Sequence, residues 1–348
     1  MDPLIGERET NGVSPLIAGS EHRAFGKRPL GTSGSTFHVQ RYGQGPGASA
    51  DPRRALQEVI NHAHPTPLSS SNPAPANLSH RAELGPPIST ERPPPRGEAG
   101  PTWAQRINLR ERPAARCIGY QRWNQLLFAH WKVEPVAVQA TLPRGLYVDR
   151  FAGAAYLGIV PFAMERVRPA WLPPLPWLSW FLELNVRTYV HDDLGRPGVW
   201  FYSLDCNRAP AVGIARRCFH LPYRHARMGA SCRDGVTHYE CARRDATAGA
   251  WRYAWTPGAE SAPAAPGSLE FFLVERYLLV AADPAGRLYS GRVHHAPYRI
   301  AAPEVAEFSA GPARLAGFQL EGKPASMLAA LPVDVSIFPL VPVQPPSE

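Results

Sequence analysis

The sequence predicts a mostly β fold of the α+β type, an antiparallel sheet that is closed or strongly coiled and carries a few short helices. Three observations lead there. From Pro113 onward, runs of aromatic and β-branched residues alternate with Gly, Pro and Asp clusters, which is the pattern of strands and turns. Helical spacing is confined to short stretches. The number of successive strands is also too large for a flat open sheet and favours closure.

Residues 1–112 lack the material for a core. They mix Pro, Gly, Ser and charge, as in Pro86-Pro87 and Pro93-Pro94-Pro95, and read as a disordered tail that cannot offset its ordering entropy. Asp51-Pro52 followed by Arg53-Arg54-Ala55-Leu56 predicts one short helix over 52–62, with an N-cap and a proline in its first turn. The folded domain is expected over 113–343.

Its elements follow in order. Residues 121–131 read as a first strand and 134–143 as a short helix between Pro135 and Pro143. Residues 146–149 and 154–162 read as strands paired around the turn at Phe151-Ala152-Gly153. A hairpin joins 183–190 to 199–205 through Asp192, Asp193, Gly195, Pro197 and Gly198. Residues 209–219 are helical in pattern and stop before Pro222. Strands are expected at 224–231, 236–243 and 250–255, then a loop over 256–267. Ser268 caps a helix through Arg276, and strands at 277–282, 287–295 and 333–340 complete the domain.

Composition excludes several function classes. The net charge is +8, yet the arginines are scattered and no nucleic-acid-binding signature accompanies them, so specific nucleic-acid binding is not expected. The N-terminus carries no basic-then-apolar leader, and no segment reaches the roughly 20 apolar residues that span a bilayer. The five cysteines form no C-x-x-C pair, which suits a reduced, cytoplasmic protein without a metal site. No Gly-rich phosphate loop is present, and no cofactor is expected. Trp171, Trp177 and Trp180 are expected to cap a barrel mouth, and His130, His294 and His295 to be structural. Glu275 and Arg276 are expected to orient a helix end or to join a polar network.

The chemistry concentrates between Glu183 and Arg224. Strand alternation sends Glu183, Asn185, Arg187 and Tyr189 to one face and Leu184, Val186, Thr188 and Val190 to the other. If the polar face looks inward, Glu183, Asn185, Arg187, Arg216, Tyr223 and Arg224 are expected to surround a small anionic or carbonyl ligand. Arginine forks suit a carboxylate, Tyr223 can donate a proton and Glu183 can accept one. The competing reading is an internal salt-bridge network in which Glu183 pairs with Arg187 or Arg216. In that case the chain is a non-catalytic scaffold or partner-binding module with a filled barrel. Oligomeric state is left open.

A set of segments carries a resemblance. They are the 123–131 run, Leu142-Pro143, Val148 to Gly153, Val160-Pro161-Phe162, the 183–189 strand, Phe201 to Asp205, Ala215-Arg216, Leu221-Pro222-Tyr223 and His294-His295-Ala296-Pro297-Tyr298. Together they resemble the YqjF-like family of uncharacterised bacterial proteins, over nearly all the chain after Pro113. That family is in turn remotely similar to acetoacetate decarboxylase, which implies a cone-shaped antiparallel β-barrel around a small cavity. In the decarboxylase, Gly-Arg-Glu leads into Pro-Lys-Lys, and the first lysine forms a Schiff base while the second depresses its pKa. Here the matching stretch runs from Ala215-Arg216 to Pro222-Tyr223-Arg224, with Tyr223 and Arg224 where the lysines stand. A phenol has no amine and a guanidinium stays protonated, so imine formation there is not expected. Lys27, Lys132 and Lys323 are the chain's lysines, and none replaces that pair in sequence.

Overall fold

The computed structural model describes residues 100–247 and 249–343. The helix expected over 52–62 and the tail before residue 100 lie outside the described residues. Secondary structure begins ahead of the Pro113 boundary, because Thr102 and Gln105 form a capping box. Gln105 N donates to Thr102 Oγ1 at 3.2 Å and Thr102 N donates to Gln105 Oε1 at 2.7 Å, which starts α1 (Trp103–Asn108).

The strand expected over 121–131 is two strands, β1 (Gly119–Asn124) and β2 (Leu126–Val133), broken where Gln125 turns to a φ of 51°. Next come α2 (Pro135–Gln139), β3 (Leu146–Val148) and the long β4 (Ala155–Pro169). The expected β3–β4 pair does not form. β3 pairs with β5 (Phe181–Asp192), and the turn keeps a single bridge between Phe151 and Ala154. The cause lies at Asp149, whose N–H bonds Tyr189 O of β5 and whose carboxylate is held by two arginines.

β5 turns into β6 (Pro197–Cys206), and α3 (Ala209–Phe219) follows with Pro210 in its first turn. Then come β7 (Tyr223–Arg233), β8 (Val236–Arg243), β9 (Trp251–Thr256) and β10 (Ala262–Pro263). Ser268 Oγ accepts from Phe271 N at 3.1 Å and starts α4 (Leu269–Val274). After it are β11 (Leu278–Ala282), β12 (Leu288–His294), β13 (Arg299–Ala301), β14 (Glu304–Glu307), α5 (Gly311–Leu315), β15 (Ser326–Ala330) and β16 (Val333–Pro342).

The sheet closes through β4, β1, β16, β12, β11, β6, β5 and back to β4. Two wings leave this ring: β2, β15, β13 and β10 branch from β4, and β7, β8, β9 and β14 branch from β6. Among the described residues two pairings, β6 with β7 and β6 with β11, are parallel and the rest antiparallel. Pro161 stands mid-strand in β4, where proline should weaken a ladder. It falls in the gap where β2 leaves off at Ala129↔Ile159 and β1 resumes at Asn124↔Ala163, so little pairing is lost there.

Two cores result. Inside the ring, Phe128, Tyr156, Val160, Phe162, Leu204, Phe271 and Phe272 pack together. Outside it, between the wings, Leu184 and Val186 pack with Ile159, Trp251, Tyr253 and Trp255. β5 is therefore buried on both faces, with its polar face toward the ring interior. Each fully buried large side chain contributes roughly 1.5–3 kcal/mol over exposure.

Candidate functional site

Two cross-strand rows of the inner face carry the polar groups. In the first, His130 of β2 faces Gly158 of β4, which faces Arg187 of β5. A Cβ at Gly158 would stand 3.1 Å from His130 Cδ2 and 3.4 Å from Arg187 Cγ, so the missing side chain lets the imidazole and the arginine approach over it. The Arg187 guanidinium lies 5.3 Å from the Phe128 ring centre and 5.7 Å from that of Tyr189. Its Nη2 makes one long bond, 3.4 Å to Leu273 O, and its Nε has no partner. Among the described residues it has no carboxylate within ion-pair distance.

His130 is fully buried, with Nε2 2.6 Å from Tyr189 Oη and Nδ1 unpartnered. Burial first, then the charges of Arg187 and Arg276, hold its pKa well below 6.5, so the ring is neutral at pH 7.

In the second row, Asn185 of β5 lines up with Leu204 of β6 and Tyr223 of β7, and Glu183 lies one inward position along. Tyr223 Oη donates to Glu183 Oε2 at 2.6 Å, and Asn185 Nδ2 reaches Glu183 Oε1 at 3.5 Å. Asn185 Oδ1 is left unpartnered. Burial drives the Glu183 pKa up to about 7, with a smaller push from Asp205, against the lowering effects of Tyr223, Asn185 and Arg187. Burial and the neighbouring Glu183 also raise the Tyr223 phenol well above its ordinary value. The pair is thus a carboxyl that can exchange its proton near neutral pH and a phenol that keeps its own.

Four of the six residues expected in the site, Glu183, Asn185, Arg187 and Tyr223, share the inner face. Arg216 and Arg224 do not. Arg224 follows Tyr223 in the same strand, so alternation turns it outward, and it lies exposed 3.5 Å from Asp245. Arg216 is exposed in the last turn of α3 and donates from Nε to the Tyr223 carbonyl at 2.7 Å, steadying the strand start without entering the barrel. The expected Glu183 pairing with Arg187 or Arg216 is absent among the described residues.

The ion-pair network sits elsewhere. Asp149 accepts both Arg106 nitrogens at 2.6 Å and Arg276 Nη1 at 2.7 Å. Burial works to raise its pKa, but the two guanidiniums outweigh burial and hold it below the usual carboxylate range. Glu275 accepts from Tyr277 Oη and from Tyr298 N, and Arg110 lies 3.2 Å away. His295 is buried beside that group with Nδ1 2.7 Å from Ala296 O and Nε2 unpartnered, and burial pushes its pKa down to about 4.

His130, expected to be structural, and Tyr189, expected on the polar face but not among the six site residues, join the first row through the Nε2···Oη contact. Their signal was a glycine, Gly158, in the middle of an otherwise bulky strand. Of the lysines, Lys132 and Lys323 are exposed. A groove of about 670 Å³ lies along β7, β8 and the segment that follows β8, lined by Arg227, Met228, Glu240 and Arg244 among others, and none of the six expected residues lines it.

Comparison with known proteins gives three kinds of likeness. The DUF2071 family model, described as an uncharacterized conserved protein, matches residues 120–334. YqjF of Bacillus subtilis (strain 168), described as uncharacterized, is 36% identical over 178 residues, which is 51% of this chain and 73% of the relative. Among solved structures, the enduracididine biosynthesis enzyme MppR complexed with pyruvate aligns with a TM-score of 0.47 and 14% identity, covering 68% of this chain and 95% of that one. Acetoacetate decarboxylase from Legionella pneumophila aligns with a TM-score of 0.47 and 12% identity, covering 68% and 94%.

Proposed function

The chain belongs to the DUF2071 family of uncharacterized conserved proteins, and from that premise we propose that it binds a small carboxylate or carbonyl-containing anion inside the ring, without Schiff-base chemistry. The single observation that carries this reading is Arg187. Leaving a guanidinium partly buried without an acid partner costs stability, whereas a ligand carboxylate supplies the two acceptors that its fork is built for. His130, neutral and with Nδ1 unpartnered, offers a second polar contact in the same row, while the ring edge over Gly158 carries Cδ2 and the Nε2 that bonds Tyr189.

At the far end of the polar face, Glu183 serves as proton acceptor and Tyr223 as hydrogen-bond donor toward a carbonyl or its enol. In the segment that resembles the decarboxylase motif, Tyr223 stands where the nucleophilic lysine would be, and a phenol cannot form an imine; both lysines of the described residues face solvent. These side chains support proton transfer and charge stabilisation rather than imine chemistry.

A second reading, the filled barrel of a scaffold, is favoured by the near-complete burial of Phe271, Phe272, Tyr189 and Phe128. Titration calorimetry with acetate, pyruvate, acetoacetate and lactate decides between them. Binding by the wild type that weakens about 10- to 100-fold in Arg187→Met is expected, the range of a charge-assisted hydrogen bond. If none of these acids binds, or if the variant binds them as well as the wild type does, the site reading fails and the filled barrel stands.

A further inference from the structure

We propose that residues 170–180, the loop between β4 and β5, form an interfacial docking loop that seats this protein on an anionic lipid surface. The loop shows a concentration of exposed apolar side chains: Trp171 is 46% exposed, Leu175 36%, Trp177 57% and Trp180 38%. Tryptophan rings in that setting match the headgroup layer, where an apolar body and a single N–H donor are both satisfied.

The loop is held firmly in place. Leu175 N donates to Ser179 Oγ at 2.8 Å and Ser179 N returns to Leu175 O at 2.9 Å, while Ser179 itself is buried. Val167 N bonds Ser179 O at 3.0 Å, Arg168 Nη1 bonds Leu172 O at 3.2 Å and Arg208 Nε bonds Trp180 O at 3.3 Å. Pro173, Pro174 and Pro176 stiffen the segment further. Its tryptophans are thus presented with the ordering cost already met, which favours binding to a preformed surface.

Charge selects the occupant. No acidic residue occurs from Arg166 to Leu182, while Arg166, Arg168 and Arg208 flank the loop. The nearest acid in sequence on the β4 side, Glu165, is 3.7 Å from Arg122 and accepts from Asn124. A cationic margin around exposed tryptophans complements the negative surface potential of an anionic bilayer. Among the described residues no helix is long and apolar enough to cross a membrane, so the contact is peripheral.

Flotation of the full chain with phosphatidylcholine vesicles, with and without phosphatidylglycerol, tests this. The chain is expected to float with phosphatidylglycerol-containing vesicles at low salt, less so at high salt, and weakly with phosphatidylcholine alone. Trp171→Ala with Trp177→Ala should lower partitioning about tenfold or more, since that apolar area leaves the interface. Arg166→Glu should lower it on anionic vesicles only, and far-UV circular dichroism confirms that each variant is folded. Failure of the full chain to float, or unchanged flotation of the folded double variant, overturns the proposal. So does a dimer, seen by light scattering, that the tryptophan variant dissolves without any vesicle binding, because the patch is then a contact between copies.

Discussion

Two arginines lie near Tyr189 inside the ring under opposite regimes. Arg276 stacks 4.7 Å from that ring, donates to Asp149 at 2.7 Å and to Phe272 O at 2.7 Å, and keeps its charge although burial lowers its pKa to about 10. Arg187 stacks at 5.7 Å, has no acid partner and makes one long bond. The first is a fastener joining α1, the β3 exit and the end of α4 through one carboxylate. The second performs no comparable structural task. A buried charge that is fully matched within the chain contributes to holding the fold, and one left unmatched is available to a partner from outside.

Asp149 is where the two arginines differ most. Asp149→Ala leaves Arg106 and Arg276 without their acceptor and should cost about 3–5 kcal/mol in urea unfolding, the range for removing one member of a buried pair. A loss no larger than that of an exposed substitution would show that the fastener holds nothing.

Next in size is the pH dependence set by Glu183. Its pKa rises from 4.5 to about 7 on folding, so between those values the native state keeps a proton that the unfolded chain releases. Stability from this group is therefore full below pH 4.5 and is lost as pH climbs through 7. Over that window the loss is about 3 kcal/mol at about 1.4 kcal/mol per pH unit. His130 acts in the opposite direction, since it is held neutral in the fold, but it is common to wild type and Glu183→Gln. The difference between their stability-versus-pH curves isolates Glu183, and parallel curves would remove its proton-exchange role.

Gly158→Ala forces a methyl to 3.1 Å from the His130 ring and should cost about 1–2 kcal/mol by overpacking. It should also weaken binding of any acid that uses Arg187. Smallest of all, Arg187→Met should change stability by less than about 1 kcal/mol, or raise it, because little that the native fold uses is removed. A cost as large as that of Asp149→Ala would make the two arginines alike after all.

The fold was legible where local chemistry is strong. The β5–β6 hairpin, α3 and the Ser268 cap follow from turn residues, a helical pattern that stops before Pro222 and a serine acceptor, and they stand close to where they were expected. The likeness to YqjF, read from scattered segments, is matched by 36% identity over 178 residues. β13, β14 and β15 were not legible, because the first two are only three and four residues long and Ser326-Met327-Leu328-Ala329-Ala330 lacks β-branched residues, so they become strands only through their neighbours. In the site, alternation placed Glu183, Asn185 and Arg187 on one face, while Tyr223, Arg216 and Arg224 came from the motif; with the strand expected to begin at residue 224 rather than at Tyr223, nothing in the motif told the inward Tyr223 from the outward Arg224 or the helical Arg216. Their motif spacing is one-dimensional, whereas facing is decided by strand and helix phase. The pairing of Asp149 with Arg106 and Arg276 joins distant parts of the chain, and no local pattern announces it.

β16 lies between β1 and β12, with Ile337 opposite Gly119 on one side and Ser336 opposite His294 on the other. That position makes it the keystone of the ring during synthesis. Until Val333–Pro342 has left the ribosome, β1 lacks its neighbour on that side and both ring edges stay open to wrong partners. Closing a loop from Gly119 to Ile337 is also the kind of long-range step that sets a slow folding rate. Closure of the ring therefore waits for β16, the C-terminal strand among the described residues.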